Sequence, residues 1–101
     1  MRLKKIKLSR FEKLVYACTL SIPIGETRTY KWIAARIGVP ASARAVGNAL
    51  HKNPYAPFVP CHRVVASDGR LGGYSGGLRR KIALLKKERE YKIEIDRNSL
   101  S

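Results

Sequence analysis

The residues best placed to do chemistry are Cys61 and His62, adjacent in the segment Val59-Pro60-Cys61-His62-Arg63-Val64. A thiol becomes a strong nucleophile when a neighbouring group takes its proton, and histidine is the usual helper. Adjacency is not pairing, because neighbouring side chains on an extended chain point to opposite sides. Cooperation, direct or through a water, requires a turn at Cys61, and Pro60 fixes one backbone dihedral just ahead of it. Taken alone, the dipeptide is weak evidence for a catalytic pair. A second segment, Gly72-Gly73-Tyr74-Ser75-Gly76-Gly77, sets four glycines around one aromatic and one hydroxyl. Such a loop can bring backbone amides against a ligand, although a flexible surface loop has the same composition. It lacks the spacing and the lysine of a P-loop. Neither Cys61 nor the other cysteine, Cys18, belongs to a CxxC pair, so no metal site is expected.

These residues need elements to position them. Ser9 and Glu12 have capping-box spacing and predict a helix start. Phe11, Leu14, Val15 and Cys18 follow at i, i+3, i+4 and i+7, one buried helix face on which Cys18 is a small core residue. Ser21-Ile22-Pro23-Ile24-Gly25 ends that helix. Thr29 is the expected N-cap of a second helix carrying Ile33 and Ile37, stopped by Gly38 and Pro40. Ser42 is the expected cap of a third, carrying Val46 and Leu50 and ending near Asn53-Pro54. Two short helices around a tight glycine turn make a helix-turn-helix pattern, which by itself is common. The third helix is unusual for a base reader. Ala41, Ala43, Ala45, Gly47 and Ala49 offer nothing to base edges, and only Arg44 and Asn48 can hydrogen bond. Small residues permit a close, sequence-tolerant approach such as a minor groove.

Beyond Tyr55 the chain is irregular to Gly77, with a short extended piece expected over Arg63 to Ala66 and a turn at Ser67-Asp68-Gly69. Leu78, Ile82 and Leu85 predict a last helix, Leu78 to Glu90, on which Lys81, Leu84, Leu85 and Glu88 share one face. Tyr91, Ile93 and Ile95 alternate with polar residues, the pattern of a short edge strand. The expected fold is therefore mainly α. It is one small domain over residues 1–101, with a winged-helix-like helix-turn-helix, a short extended or hairpin segment and a C-terminal helix. Residues 1–8 form a basic N-terminal extension and 91–101 a tail.

Twenty-one Lys and Arg against seven Asp and Glu give a net charge of +14. That surplus on a small domain points to a polyanionic partner, usually nucleic acid. An acidic tail, a membrane surface or adaptation to heat or salt would also account for it. No apolar run reaches membrane-span length and the start lacks a signal-peptide core, so a cytosolic protein, or a nuclear one in a nucleated cell, is expected.

Three segments together are more specific. Arg44-Ala45-Val46-Gly47-Asn48-Ala49-Leu50, Pro60-Cys61-His62-Arg63-Val64 and Gly72-Gly73-Tyr74-Ser75-Gly76-Gly77-Leu78 resemble the O6-alkylguanine-DNA alkyltransferase family, also called methylated-DNA–protein-cysteine methyltransferases. The similarity runs from about Phe11 to Glu88, in the family's order and spacing, and corresponds to the family's C-terminal active-site and DNA-binding domain. The resemblance implies direct, irreversible and stoichiometric transfer of an alkyl group from O6-alkylguanine in double-stranded DNA, by a monomer and without cofactor or metal. It implies that Cys61 accepts the alkyl group, His62 activates it through a bound water, Glu88 orients the imidazole and Asn53 braces the active-site turn. Tyr30 matches the tyrosine beside the target nucleotide, and Arg44 the arginine that enters the base stack. Ser75 matches the residue whose backbone amide meets the guanine O6. The carbonyls of Cys61 and Val64 match acceptors for the exocyclic amine. Tyr74 and Lys81 match further pocket positions, and Ala43 and Gly47 lie on the DNA-facing helix.

An alkyl group on O6 lies inside the duplex, so the base must rotate out to be reached, and a long planar cation such as Arg44 can fill the gap. The product, a thioether, is not opened by thiol exchange. Family members usually carry a further N-terminal domain, and here about ten residues precede the first helix. Two other readings compete. An alkyltransferase-like damage sensor binds but does not react, and such proteins replace the cysteine. A plain helix-turn-helix regulator needs base-reading side chains that Ala43 to Ala49 do not supply.

Overall fold

A computed structural model describes residues 7–74 and 76–99. Its elements are α1 (Arg10–Leu20), β1 (Arg28–Thr29), α2 (Tyr30–Arg36), α3 (Ala43–His51), a single 3₁₀ turn (Cys61–Arg63), β2 (Val64–Val65) and α4 (Leu78–Ser99). Ser9 caps α1 as its spacing requires. The Ser9 hydroxyl accepts from Glu12 N–H at 3.1 Å, and Glu12 Oε1 accepts from Ser9 N–H at 3.0 Å. Thr29 caps α2, its hydroxyl accepting from Trp32 N–H at 2.9 Å. Ser42 holds the N-cap position of α3, but its side chain makes no capping bond.

The buried stripe of α1 is rotated from the expected one. Val15, Tyr16 and Thr19 are buried, Phe11 and Cys18 only partly, and Leu14 is 43% exposed. The rotation follows from α3, where the Ala49 carbonyl accepts a 2.7 Å bond from the Tyr16 hydroxyl. Ile22, Ile33, Ala34, Val46, Ala49, Leu50 and Val59 complete a core between the first three helices, and Leu8 of the N-terminal extension packs on its edge.

The extended piece is Val64–Val65. Its partner is β1, paired in parallel with Arg28 opposite Val64 and Thr29 opposite Val65. Two residues of pairing gave no alternation for the sequence to announce. The pairing matters because β1 leads directly into Tyr30, and β2 follows directly from the Cys61 turn. It therefore sets the start of α2 beside the reactive segment.

The C-terminal tail is a correction. Residues Tyr91, Ile93 and Ile95 form no edge strand, because α4 runs unbroken to Ser99. No Gly or Pro interrupts Leu78 to Ser99, and straight-chain Lys, Glu and Arg dominate it, all good helix formers. Lys92 secures the extra turns by bonding Glu26 at 3.3 Å and lying against Gly25. A Cβ on Gly25 would stand 2.7 Å from the Lys92 side chain, and the residue has φ +83°, so only glycine suits this crossing. Among the described residues no helix is long and apolar enough to cross a membrane.

Candidate active site

Cys61 sits where the chain turns. Pro60, at φ −81° and ψ 66°, forms an inverse γ-turn in which Cys61 N–H donates to the Val59 carbonyl at 2.8 Å. The next three residues form the 3₁₀ turn, where successive side chains are separated by roughly 120° instead of the 180° of a strand. The turn that the Cys61–His62 dipeptide required is thus present. Both residues are buried, Cys61 at 5% and His62 at 2% exposure.

Asn53 holds the approach to this turn. Its side-chain amide donates to the Val59 carbonyl at 2.8 Å, and its oxygen accepts from Tyr55 N–H at 2.9 Å. One buried side chain therefore closes the loop that delivers Pro60 and Cys61.

Behind Cys61, His62 Nε2 lies 3.0 Å from Glu88 Oε2. The contact is off the N–H axis, a close charge contact instead of an aligned hydrogen bond, and Nδ1 bonds no described side chain or backbone group. A carboxylate against Nε2 favours the tautomer with its proton there, which leaves Nδ1 able to accept one. Burial alone would push the Glu88 carboxyl up. The Arg63 hydrogen bonds and the His62 contact outweigh burial and hold it below the usual carboxylate range. Glu88 thus faces inward, and Lys92, its possible surface partner one turn along α4, bonds Glu26 instead.

In front of Cys61 a pocket of about 410 Å³ opens, at the small end of ligand-binding cavities. Cys61 forms its floor, Tyr30 and Tyr74 are on its walls, and Ala43, Arg44 and Gly47 of α3 line it together with Gly72 and Gly73. Arg44 is exposed at its rim. Gly72 is required by contact as well as by its φ of +75°: a Cβ there would stand 2.5 Å from the Tyr30 hydroxyl. Burial pushes the Tyr30 and Tyr74 phenols up, and a charge on Cys61 would push them further.

Lys81 is fully buried beneath the pocket. Its ammonium donates to the Val64 carbonyl at 2.7 Å and to the Gly73 carbonyl at 3.2 Å, tying the strand after the Cys61 turn to the glycine loop. Burial pulls its pKa down to about 8, with Cys61 opposing. Ser75 lies outside the described residues. The Val64 carbonyl already accepts from Lys81, and the Cys61 carbonyl accepts from Val64 N–H, each keeping a second lone pair.

Of the residues singled out in the sequence, Cys61, Tyr30, Arg44, Tyr74, Ala43 and Gly47 meet at the pocket. His62, Glu88, Asn53, Lys81 and Val64 do not line it; Asn53 and Lys81 bond the segments that do, and Glu88 meets His62. Sequence reasoning assigned no role to Arg63, which grips Glu88, nor to His51 and Leu50, which line the pocket. The signal for Arg63 was its place beside His62, but its partner lies 25 residues away. Among the described residues no three His, Cys, Asp or Glu side chains gather as a metal site would require.

A helix-turn-helix joined to a buried cysteine at a pocket and a histidine–carboxylate contact defines the class of this domain. Residues 10–90 match the family described as 6-O-methylguanine DNA methyltransferase, DNA binding domain, and the chain belongs to that family. It is 51% identical over 81 residues to the methylated-DNA–protein-cysteine methyltransferase of Mycobacterium leprae, which covers 80% of this chain and 49% of that protein. With the protein of that name from Methanosarcina barkeri it shares 55% over 78 residues, 77% of this chain and 49% of that one. The chain therefore spans about half the length of these relatives. Among solved structures, Mycobacterium tuberculosis OGT in complex with DNA superimposes with a TM-score of 0.82 at 49% identity, over 85% of this chain and 53% of that one. Schizosaccharomyces pombe Atl1, in complex with damaged DNA containing O6-carboxymethylguanine, gives 0.72 at 32% identity, over 82% and 79%.

Proposed function

We propose that this chain repairs DNA by moving the alkyl group from O6 of a damaged guanine to Cys61, once per molecule and without cofactor, and that it corresponds to the C-terminal, active-site part of its longer relatives. The observation that carries this reading is a buried Cys61 that lines a pocket and shares one 3₁₀ turn with His62, whose Nε2 meets Glu88 at 3.0 Å. His62, through a water, takes the thiol proton. The thiolate sulfur attacks the alkyl carbon, the carbon–O6 bond breaks, and its electron pair passes to the guanine, which takes up a proton. The products are a thioether and an intact guanine. Because a thioether resists thiol exchange, turnover stops there.

The remaining site residues have roles consistent with their places. Tyr30 stands beside the flipped nucleotide, Arg44 at the rim fills the vacated stack, and Tyr74 walls the pocket. Ala43 and Gly47 let α3 approach a minor groove, and Lys81 fixes the loop whose Ser75 amide meets O6. The free lone pairs of the Cys61 and Val64 carbonyls suit the exocyclic amine. The partner is double-stranded DNA holding O6-alkylguanine, bound by a monomer in the cytoplasm or nucleus.

Incubation with duplex DNA containing O6-methylguanine should add one methyl mass to the Cys61 peptide, and Cys61→Ser should gain none. Tight binding to the damaged duplex with Cys61 unmodified would select the second reading, a damage sensor, which the likeness to Atl1 supports. Arg44→Ala should slow repair in duplex DNA about tenfold more than reaction with free O6-alkylguanine, since only the duplex has a stack to fill. Equal losses would rule out the stack role.

A further inference from the structure

Arg63 directly follows the His62 of the proposed reaction, yet its side chain turns away from the pocket. Arg63 Nε donates to Glu88 Oε1 at 2.9 Å and Nη2 to Glu88 Oε2 at 2.7 Å, a bidentate pair in which planar fork meets planar carboxylate. The third nitrogen, Nη1, donates to the Ile22 carbonyl at 2.8 Å, in the connection between α1 and β1. The side chains of Arg63 and Glu88 are only 12% and 16% exposed. Glu88 Oε2 is the same atom that meets His62 Nε2 at 3.0 Å. One carboxylate oxygen is therefore shared between an imidazole and a guanidinium, and the guanidinium is itself pinned to backbone from a different part of the chain.

A lone carboxylate on a helix can rotate about its side-chain torsions and choose its partner. Here both oxygens are committed to the fork before His62 is considered, so the atom facing His62 is decided by Arg63. We infer that Arg63 is a positioning residue for the transfer: it fixes the Glu88 carboxylate against His62 and anchors the three-residue unit to the backbone at Ile22. The inference rests on the alkyl-transfer reading. It adds a fourth group, behind the cysteine, histidine and glutamate, that never meets substrate.

The charge consequence has a definite sign. The Arg63 hydrogen bonds help hold the Glu88 carboxyl below the usual carboxylate range. Removing that cation from 2.7 Å makes proton uptake at the carboxylate easier, so the site loses its ionised form at higher pH. The other charged groups nearby are engaged elsewhere or lie outward. Glu26, on the connection packed beside α4, bonds Arg28 at 2.9 Å and Lys92 at 3.3 Å. On α4 itself Lys87, Glu90 and Glu94 border the outer groove beside Glu88 and are exposed.

The test is the pH dependence of Cys61 alkylation in the full chain, read by peptide mass with two reagents, duplex O6-methylguanine DNA and iodoacetamide. Iodoacetamide reports on the thiol whether or not the protein repairs guanine, so loss of the repair reading and loss of this inference are separable. With Arg63→Met the acid limb should move up by about one pH unit, the scale of one charge-assisted hydrogen bond. On the acid limb that makes the rate up to about tenfold lower, while the two curves converge at pH values above both midpoints. Arg63→Lys, which keeps the charge but not the fork, should restore part of the shift. In a Glu88→Gln background Arg63→Met should move the limb no further. Helical circular dichroism confirms folding, and if Arg63→Met does not fold, the Arg63→Lys profile decides. A uniform loss at every pH, or an unmoved limb beside a lowered melting temperature, would show that Arg63 is only structural and overturn the inference.

Discussion

The two halves of this molecule are held together by different physics. From α1 to α3 the contacts are apolar: Val15, Ile33, Ala34, Val46 and Leu50 fill one core, and few polar side chains enter it. From Cys61 through α4, Cys61 and Val64 still join the apolar core, but the other buried contacts are mostly charged or polar. His62 and Lys81 are buried, Glu88 and Arg63 nearly so, and Leu78 and Ile82 stand about half exposed. The first half makes a rigid face with Tyr30 and Arg44 at the pocket. The second sets a thiol, an imidazole and two cations in fixed relation, where a low-dielectric setting makes each misplaced charge costly. Under the proposed function, recognition is built on packing that tolerates substitution of similar volume, and chemistry on a network that does not.

Breaking each half separately should give opposite signatures. The largest effect is expected from Ile33→Ala, which removes a fully buried side chain that does not line the pocket. Unfolding free energy should fall by about 2–5 kcal/mol, with the alkylation rate per folded molecule unchanged. A matching fall in rate would mean the core and the site are not separable. Glu88→Gln should do the reverse: about a hundredfold loss in the rate of Cys61 alkylation, the scale of general acid–base assistance, with a much smaller change in the urea midpoint. Rates within a factor of two of the parent would remove Glu88 from the chemistry.

The same division explains what could be read from the sequence. Ser9, Glu12 and Thr29 act through bonds to backbone within three residues, so α1 and α2 are legible where they start. Cys61 and Arg44 lie in motifs in register, Tyr30 comes from the wider resemblance, and the pocket unites the three. Periodicity was less informative for α1, since Tyr16 is buried by a hydrogen bond to Ala49, 33 residues away, and Leu14 is left outside. The β1–β2 pairing is two residues long and joins segments 36 apart, so no local pattern marks it. In the second half apolar periodicity marks the helix and its start at Leu78. Leu78 and Ile82 are nonetheless exposed, and the helix turns the shared face of Lys81 and Glu88 inward to partners fixed only by the tertiary fold. Tyr91, Ile93 and Ile95 alternate like a strand, but the unbroken run of helix formers before and between them outweighs that short pattern.

The smallest effect tests whether Lys81 belongs to the polar half in energy as well as in place. Its ammonium is fully buried, and burial lowers its pKa from 10.5 to about 8. Between those values the unfolded chain holds a proton that the folded chain has released. Unfolded protein then binds more protons, so unfolding free energy should rise with pH, by at most about 1.4 kcal/mol per pH unit. Burial pushes the Cys18 thiol up from 9 and the Tyr16, Tyr30 and Tyr74 phenols up from 10, which gives the opposite slope above those values, so the clean window is pH 8 to 9. Urea unfolding at pH 8, 8.5 and 9 should give a rising curve for the parent and a flatter one for Lys81→Met. Met leaves two carbonyls without their donor, so its curve also lies lower, but the slope alone answers the question. Parallel curves would show that Lys81 keeps its proton throughout. The Val64 and Gly73 carbonyls would then compensate fully for its burial, and the contrast between an apolar half and a costly polar half would fail at its most buried charge.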